Sequence, residues 1–331
     1  MNPVELKPKD LKSDQEVRWC PGCGDYSILN SAQAVLAELG IPREKMCMIS
    51  GIGCSSRFPY YMNTYGFHSI HGRALAIATG TKTANPELSV WVATGDGDCM
   101  SIGGNHFIHT LRRNVDLKIL MFNNRIYGLT KGQYSPTTPQ GQVTKTSPYG
   151  AVDAPFNPIE LALGAGATFV ARTVDTQPKH MKEVLKAAAE HKGTAFVEIW
   201  QNCVIFNDGA FKDMTTKDVR DDALVDMVPG QPLVFGKERE KGLQMSCGEA
   251  KVVPAAEADV WACDADSPVK AFTMASLDSR ADLPTALGVF RAVQKPIFDE
   301  QVNAQVAMVT AKKGKGTLKD LIYTSDAWQV G

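Results

Sequence analysis

Short apolar runs alternate with longer segments of mixed polarity from about residue 45 to residue 200. The runs are rich in β-branched or aromatic side chains, which is typical of strands buried on both faces of a sheet. These predicted strands cover residues 45–50, 88–93, 117–122, 168–172 and 195–200. Helix-compatible patterns lie around and between them, at residues 27–39, 74–83, 104–113, 158–163 and 179–191. This alternation predicts an α/β fold with a mostly parallel, doubly wound sheet.

Residues 129–157 interrupt the alternation. They contain Pro136, Pro139, Pro148 and Pro155 among Thr, Gln, Ser and Gly. A loop of this length in a compact domain is usually functional or flexible. We therefore expect this loop to serve a site.

The alternation fades after about residue 203. Residues 208–280 are rich in charge, Pro and Gly, residues 287–312 predict helical stretches, and residues 318–330 predict a final short element. We therefore divide the chain into a domain at residues 1–207 and an irregular C-terminal extension at residues 208–331. The extension is predicted to wrap the core or to contact a partner chain.

The composition excludes some broad classes of protein. Of 331 residues, 44% are hydrophobic and 21% are charged, so the chain has enough apolar surface to bury a core. Lys and Arg number 35 against 36 Asp and Glu, and a net charge of −1 gives no support for nucleic-acid binding. No run reaches the roughly 18 apolar residues of a membrane span. Residues 1–17 are too polar for a secretory signal, so we expect a cytoplasmic protein.

Acidic and amide side chains follow two of the predicted strands directly. They are Gly95-Asp96-Gly97-Asp98 after the strand at 88–93 and Asn123-Asn124 after the strand at 117–122. Open α/β sheets bind ligands at the carboxyl ends of their strands. Glycines on both sides of Asp96 let a ligand approach the backbone, and the following helix offers N–H groups to an anion. Carboxylate and amide oxygens suit Mg²⁺ that also binds phosphate, so we predict a magnesium diphosphate site.

Four of the eight cysteines form a second candidate site. They are Cys20 and Cys23 in a CxxC motif, Cys54 in GIGCS, and Cys203 in QNC. Disulfides are not expected in a reducing cytoplasm. Zinc and a [4Fe–4S] cluster both accept four thiolates, and the spacing does not decide between them. A cluster beside an organic cofactor would have a redox use. Plain burial is the expectation for the remaining cysteines, Cys47, Cys99, Cys247 and Cys263.

The two motifs together resemble a known family. The Asp96 and Asn124 motif resembles the diphosphate-binding motif of thiamine diphosphate enzymes. With the cysteines, the chain resembles the β subunit of 2-oxoacid:ferredoxin oxidoreductases over about residues 16–210, and weakly at 318–330. It is most similar to the 2-oxoglutarate type. The segments that carry the resemblance are WCPGCGD, SGIGCSSR, HGRALAIATG, ATGDGD, NNRIYGLTKGQ and QNCVIFN.

The resemblance implies a role for individual residues. It implies a [4Fe–4S] cluster held by Cys20, Cys23, Cys54 and Cys203. It implies Mg²⁺ held by Asp96, Asn124 and the carbonyl of Ile126. It implies thiamine diphosphate contacts from Asp25, Ile52, Gly53, Cys54, Ser55, His71, Gly95, Asp96, Gly97, Asp98, Asn124, Gly128 and Leu129. Catalytic roles fall to His71 and Lys131, where Lys131 would pair with the distal carboxylate of 2-oxoglutarate.

The resemblance also implies a reaction and partners. The family joins CoA-dependent oxidative decarboxylation of a 2-oxoacid, or the reverse carboxylation, to electron transfer with ferredoxin. A separate α subunit carries the pyrimidine domain, which predicts an α₂β₂ complex. Three alternatives stay open. The complex could act on pyruvate or another 2-oxoacid, the chain could serve a non-redox thiamine lyase or transferase with a structural zinc, or it could be a catalytically silent cofactor-binding subunit with a Cys₄ zinc site.

Overall fold

The helices and strands follow the predicted alternation through residue 200, with one unpredicted strand at Tyr65–His68. The structure, a computed structural model, describes residues 4–323 together with residues 328 and 330. The strands are β1 (Met46–Ser50), β2 (Tyr65–His68), β3 (Ser89–Gly95), β4 (Lys118–Asn123), β5 (Phe169–Val174), β6 (Ala195–Trp200), β7 (Leu224–Met227), β8 (Val234–Phe235), β9 (Lys241–Ser246), β10 (Glu249–Pro254) and β11 (Thr285–Ala292). The helices are α1 (Asp25–Glu38), α2 (Ala74–Ala84), α3 (Gly104–Arg113), α4 (Pro158–Gly164), α5 (Pro178–Glu190), α6 (Lys212–Thr215), α7 (Arg220–Ala223), α8 (Val269–Ala275), α9 (Phe298–Lys313) and α10 (Leu318–Ile322).

The main sheet has eight strands in the order β2-β1-β3-β4-β6-β5-β11-β7. The first six in this order run parallel to one another. Ser50 at the end of β1 pairs with Ala93, and Gly95 at the end of β3 pairs with Phe122. Asn123 at the end of β4 pairs with Trp200 at the end of β6. The segments that follow β1, β3, β4 and β6 therefore leave the sheet at one edge, as predicted.

Both faces of the central strands β1, β3, β4, β5 and β6 are covered, which explains why these strands read as continuous apolar runs. In β4, Ile119 and Met121 join the core on one face, with Phe107 of α3. Leu120 and Phe122 join the core on the other face, with residues of α1 and α5. The sheet is thus rigidly held between helices, and its carboxyl edge is a fixed platform for a site. No helix among the described residues has the length and apolarity needed to cross a membrane.

The C-terminal region differs in part from its prediction. Helical stretches were expected over 287–312, but β11 (Thr285–Ala292) occupies the start of that range and pairs antiparallel with β5. The helical prediction was wrong there because the run is short and buried throughout, which suits a strand inside a sheet. α9 (Phe298–Lys313) bears out the later part of the range.

The extension also contributes more than irregular chain. β7 lies beside β11 in the main sheet, and β8, β9 and β10 form a small antiparallel sheet. The predicted boundary at residue 207 therefore separates segments that share the main sheet. Of the final element predicted at 318–330, α10 (Leu318–Ile322) is helical, and residues 324–327 and 329 lie outside the described residues.

Candidate functional site

A cavity opens where β1, β3 and β4 end. It has a volume of about 120 Å³. Its lining includes every residue for which the resemblance implied a cofactor contact, with the exception of Asp25. The lining residues are Ile52, Gly53, Cys54, Ser55, His71, Gly95, Asp96, Gly97, Asp98, Asn124, Ile126, Tyr127, Gly128, Leu129 and Thr130. Loops that are far apart in sequence thus meet at one sheet edge.

Asp96 lies at the base of this cavity and is only 2% exposed. Its Oδ2 accepts hydrogen bonds from Ser135 Oγ at 2.5 Å and Thr137 Oγ1 at 2.6 Å. Burial raises the pKa of this carboxyl above its usual value. Among the described residues, no Lys, Arg or His forms an ion pair with Asp96. A buried carboxylate without a cationic partner is costly, so the Asp96 side chain fits a bound cation.

Asn124 presents an amide oxygen to the same cavity. Its Nδ2 donates to Gln201 Oε1 at 2.8 Å, and its Oδ1 accepts from the backbone N–H of Ile126 at 3.2 Å. An amide oxygen has two lone pairs, so one remains for a cation. The donor set of a carboxylate, an amide oxygen and a backbone carbonyl is the hard oxygen set that suits Mg²⁺.

Asp98 has a different role from Asp96. Its Oδ1 accepts hydrogen bonds from the backbone N–H groups of Ile52 at 3.0 Å and Gly72 at 2.7 Å. Its Oδ2 accepts from Thr94 Oγ1 at 2.7 Å. A side chain at Gly51 would overlap this carboxylate, so glycine is required there. The Asp98 carboxylate therefore holds the loop after β1 in place.

Gly97 also shapes the wall of the cavity. A Cβ at Gly97 would overlap the ring of Tyr127, whose hydroxyl donates to the Gly97 carbonyl at 3.2 Å. A close backbone surface of this kind accommodates a large anionic group without a side chain in the way.

Two of the four predicted ligand cysteines, Cys54 and Cys203, lie next to the cavity. A Cβ built on Gly128 would lie 3.6 Å from Cys203 Sγ and 3.8 Å from Cys54 Sγ, so both sulfurs face this one residue. The indole N–H of Trp19 donates to the Cys54 carbonyl at 2.7 Å and ties the CxxC segment to the loop after β1. The same segment turns at Gly22, which has a φ of 84°.

The thiols of this group influence one another. Burial raises the pKa of Cys23 well above its usual value, and the charges of Asp25, Cys203 and Cys54 raise it further. Burial, Asp25, Cys203 and Cys20 raise the pKa of Cys54 to about 11. Buried thiolates with acidic neighbours are unfavourable unless a cationic centre coordinates them. The group therefore fits a metal centre.

Zinc and an iron–sulfur cube require different spacings of their ligand sulfurs. Among the described residues, no group of three or more His, Cys, Asp or Glu side chains is compact enough to hold one metal ion. Tetrahedral zinc with bonds of about 2.3 Å to sulfur draws its ligand sulfurs to within about 4 Å of one another. An iron–sulfur cube places several irons between its ligands and accepts wider spacing. The choice between zinc and a cluster stays a prediction.

The other cysteines have mixed environments. Cys47 and Cys99 are buried in the core, as expected, and Cys263 is half-buried. Cys247 is exposed, with a φ of 53°, in the turn between β9 and β10. Burial was the wrong prediction for Cys247 because the hairpin that contains it lies outside the alternating pattern that the prediction used.

Known proteins match the chain in sequence and structure. Residues 51–199 match the family described as thiamine pyrophosphate enzyme, C-terminal TPP binding domain. The 2-oxoglutarate oxidoreductase subunit KorB of Mycobacterium tuberculosis is 52% identical over 98% of this chain and 88% of its own length. The chain belongs to the 2-oxoacid:ferredoxin oxidoreductase β subunits.

Two further relatives agree. The 2-oxoglutarate synthase subunit KorB of Archaeoglobus fulgidus is 48% identical over 56% of this chain and 69% of its own length. A solved structure of 2-oxoglutarate:ferredoxin oxidoreductase from Magnetococcus marinus, with 2-oxoglutarate, coenzyme A and succinyl-CoA bound, is 37% identical. It superposes with a TM-score of 0.75 and covers 96% of this chain and 98% of that chain.

These matches confirm the predicted family, the predicted α/β fold and an oxidoreductase subunit with a thiamine diphosphate-binding domain. The matched region, residues 51–199, begins directly after β1 and includes the ends of β3 and β4, so it contains every lining residue of the cavity. The individual ligand and catalytic assignments in this β subunit stay predictions.

Two of the residues predicted for cofactor contact or catalysis lie outside the cavity of the β subunit. Asp25 is 1% exposed at the start of α1, where burial raises its pKa to about 7, and it lies on the cysteine side. Lys131 is exposed, with a φ of 78°. A larger cavity of about 440 Å³ adjoins the first and shares Gly53 and Leu129 with it. Its cationic lining residues are Arg18 and Arg57.

The sequence alone does not single out several residues of the site. Ser135 and Thr137 reach Asp96 from the long loop at 129–157, for which the sequence predicts a role in a site but no individual residues. Gln201 lies between Asn124 and Cys23, and Arg57 lines the adjoining cavity. The length of the loop is a sequence signal for Ser135 and Thr137. Nothing in the sequence distinguishes Gln201 or Arg57 from other Gln and Arg residues.

Proposed function

We propose that the chain is the β subunit of a 2-oxoglutarate:ferredoxin oxidoreductase. The complex would convert 2-oxoglutarate and CoA to succinyl-CoA and CO₂, with two electrons passing singly through one [4Fe–4S] cluster to ferredoxin. The reverse carboxylation uses the same site. The relatives named for 2-oxoglutarate support this substrate over pyruvate or another 2-oxoacid.

One observation carries the proposal. Gly128 lines the cavity of Asp96 and Asn124, and the same residue faces the sulfurs of Cys54 and Cys203. Cys54 itself lines the cavity, so these sulfurs and the cavity are direct neighbours. A thiamine-type site and a metal centre at this separation favour electron transfer between them.

The residues of the chain hold and orient the reacting groups. Asp96, Asn124 and the carbonyl of Ile126 would hold Mg²⁺, and Ser135 and Thr137 keep the Asp96 carboxylate fixed. Cys20, Cys23, Cys54 and Cys203 would hold the cluster. When bound, thiamine diphosphate supplies the carbanion chemistry of decarboxylation, Mg²⁺ neutralises the diphosphate, and the cluster carries single electrons.

The site needs a partner subunit. The cavity described here presents the diphosphate side of a thiamine site, and exposed apolar side chains lie beside it. Tyr65 is 67% exposed and Phe67 42% exposed on β2, and Ile70, next to His71, is 73% exposed. Exposed apolar groups of this kind mark interaction surfaces. We propose that the α subunit covers this surface and that the complex is α₂β₂. Its cytoplasmic location stays a prediction.

The test is to co-express the chain with its α subunit and to purify the complex without oxygen. We expect a brown protein with about four irons per β chain. It should reduce a low-potential dye with 2-oxoglutarate only when CoA, Mg²⁺ and thiamine diphosphate are present, and faster than with pyruvate. A colourless complex with stoichiometric zinc and no dye reduction would contradict the proposal and favour a non-redox or silent subunit.

A further inference from the structure

The side chain of Gln201 connects the two candidate cofactor sites. It follows β6 and is only 2% exposed. Its Oε1 accepts a hydrogen bond from Asn124 Nδ2 at 2.8 Å. Its Nε2 donates to Cys23 Sγ at 3.2 Å and to the Asn202 carbonyl at 2.5 Å. Every hydrogen atom of this amide therefore has a partner.

These contacts fix the orientation of two side-chain amides, first that of Gln201 and then that of Asn124. The Asn202 carbonyl only accepts hydrogen bonds, so the NH₂ end of Gln201 must face it, and Oε1 must face Asn124. Since Oε1 also only accepts, the NH₂ end of Asn124 must face Gln201. The Asn124 Oδ1 then lies on the opposite side of its amide, where a cation ligand is needed. Reversal of the Gln201 amide would turn the wrong end of Asn124 toward the cation.

The third contact acts on the cysteine group. A hydrogen bond from an amide to a ligand sulfur offsets negative charge on that sulfur, and such bonds raise the reduction potential of an iron–sulfur cluster. The Gln201 contact to Cys23 is the only side-chain N–H bond to the sulfur of Cys20, Cys23, Cys54 or Cys203 among the described residues. Loss of this hydrogen bond should therefore change the reduction potential of the cluster by a measurable amount.

We propose that Gln201 is a positioning residue for both sites. Its Oε1 orients Asn124 for Mg²⁺, and its Nε2 raises the potential of the cluster through Cys23. The inference rests on the proposed function, because it assumes that Mg²⁺ and a cluster occupy the two sites. One neutral side chain would thus set the affinity of one cofactor and the potential of the other.

The experiment compares Gln201→Leu and Gln201→Glu with Gln33→Leu in the purified complex. Gln33 is a matched control, since it is 1% exposed and donates to the backbone carbonyl of Tyr61 at 3.2 Å. Calorimetry measures the Kd of thiamine diphosphate with Mg²⁺, and a redox titration followed by electron paramagnetic resonance measures the cluster potential. Neither readout depends on turnover.

We expect Gln201→Leu to raise the Kd about tenfold, as is usual when a partner of a metal ligand is removed. It should also lower the cluster potential by about 59 mV, the equivalent of a tenfold change for one electron. Gln201→Glu keeps an acceptor for Asn124 but loses the donor to Cys23. Its potential should fall at least as far, while its Kd stays closer to that of the unmodified complex. Gln33→Leu should change neither quantity.

The outcomes separate this inference from the proposed function. If the unmodified complex lacks a cluster or does not bind thiamine diphosphate, the proposed function fails. If it has both, and Gln201→Leu changes neither quantity or only one of them, the inference alone is overturned. If Gln201→Leu does not fold, the cluster potential of the Gln201→Glu complex decides. A potential equal to that of the unmodified complex overturns the inference.

Discussion

His71 Nδ1 lies 2.6 Å from Asp98 Oδ1, and that carboxylate is buried while the His71 ring lines the cavity. A carboxylate oxygen accepts, so Nδ1 is the donor. No hydrogen bond occupies Nε2 among the described residues. The contact therefore fixes the orientation of the ring and leaves Nε2 available to a bound ligand.

We predict that His71→Ala lowers kcat by about a hundredfold, as expected when a positioned proton-transfer group is removed. Iron content should not change. His106→Ala is the control, because His106 is on α3 and contacts Arg73 outside the cavity. Steady-state kinetics of dye reduction measures the effect. Equal losses in the two variants would contradict a catalytic role for His71.

Replacement of Asp96 tests the cation site. Asp96→Ala should abolish Mg²⁺-dependent binding of thiamine diphosphate and leave the iron in place. Thr137→Val removes one of the two hydroxyl donors to Asp96 and should raise the Kd about tenfold. Calorimetry with and without Mg²⁺ measures both. Unchanged binding in Asp96→Ala would show that Asp96 is not a ligand.

Cysteine replacements test the cluster. Cys54→Ser should lose or degrade the cluster, since its sulfur is in the group that faces Gly128. Cys263→Ser is the control, because Cys263 is half-buried beside the core, away from that group. Iron analysis and visible absorbance of the anaerobic proteins measure the outcome. Equal iron loss in both variants would discredit the choice of ligands.

The predicted contact with the distal carboxylate of 2-oxoglutarate has two candidates, Lys131 and Arg57. If Lys131 makes this contact, Lys131→Ala should raise the KM for 2-oxoglutarate about tenfold and change that for pyruvate less. Arg57→Ala provides the comparison, because Arg57 already lines the cavity that adjoins the cofactor site, whereas Lys131 is exposed. If Arg57→Ala loses the preference for 2-oxoglutarate over pyruvate and Lys131→Ala keeps it, the contact belongs to Arg57.

His191 makes stability depend on pH. Burial and the nearby charge of Lys118 lower its pKa from 6.5 to about 4. The unfolded chain therefore binds the proton first, so the histidine's contribution is intact above pH 6.5 and is lost as the pH falls toward 4. The loss is about 2 kcal/mol at pH 5. Between pH 7 and pH 5, the melting temperature of the unmodified complex should fall further than that of the His191→Asn complex. Equal decreases in the two complexes would refute the assignment to His191.

The apolar runs and their connections determined the parallel sheet, because a strand buried on both faces is marked by its own side chains. They also placed Asp96, Asn124, Cys54 and Cys203 after strands, which suffices to bring them to one edge. β11 was missed because its role depends on pairing with β5, more than a hundred residues away. Pairing over such a separation leaves no local periodic signal.

What only the tertiary structure decided is how each side chain is used. Asp96 and Asp98 are equivalent in the motif, yet one faces the cavity with an available oxygen and the other is saturated by hydrogen bonds. Gln201 gained its role from two partners, Asn124 and Cys23, that come from separate loops. Hydrogen bonds depend on distances of a few tenths of an ångström between distant segments, and only the folded chain sets those distances.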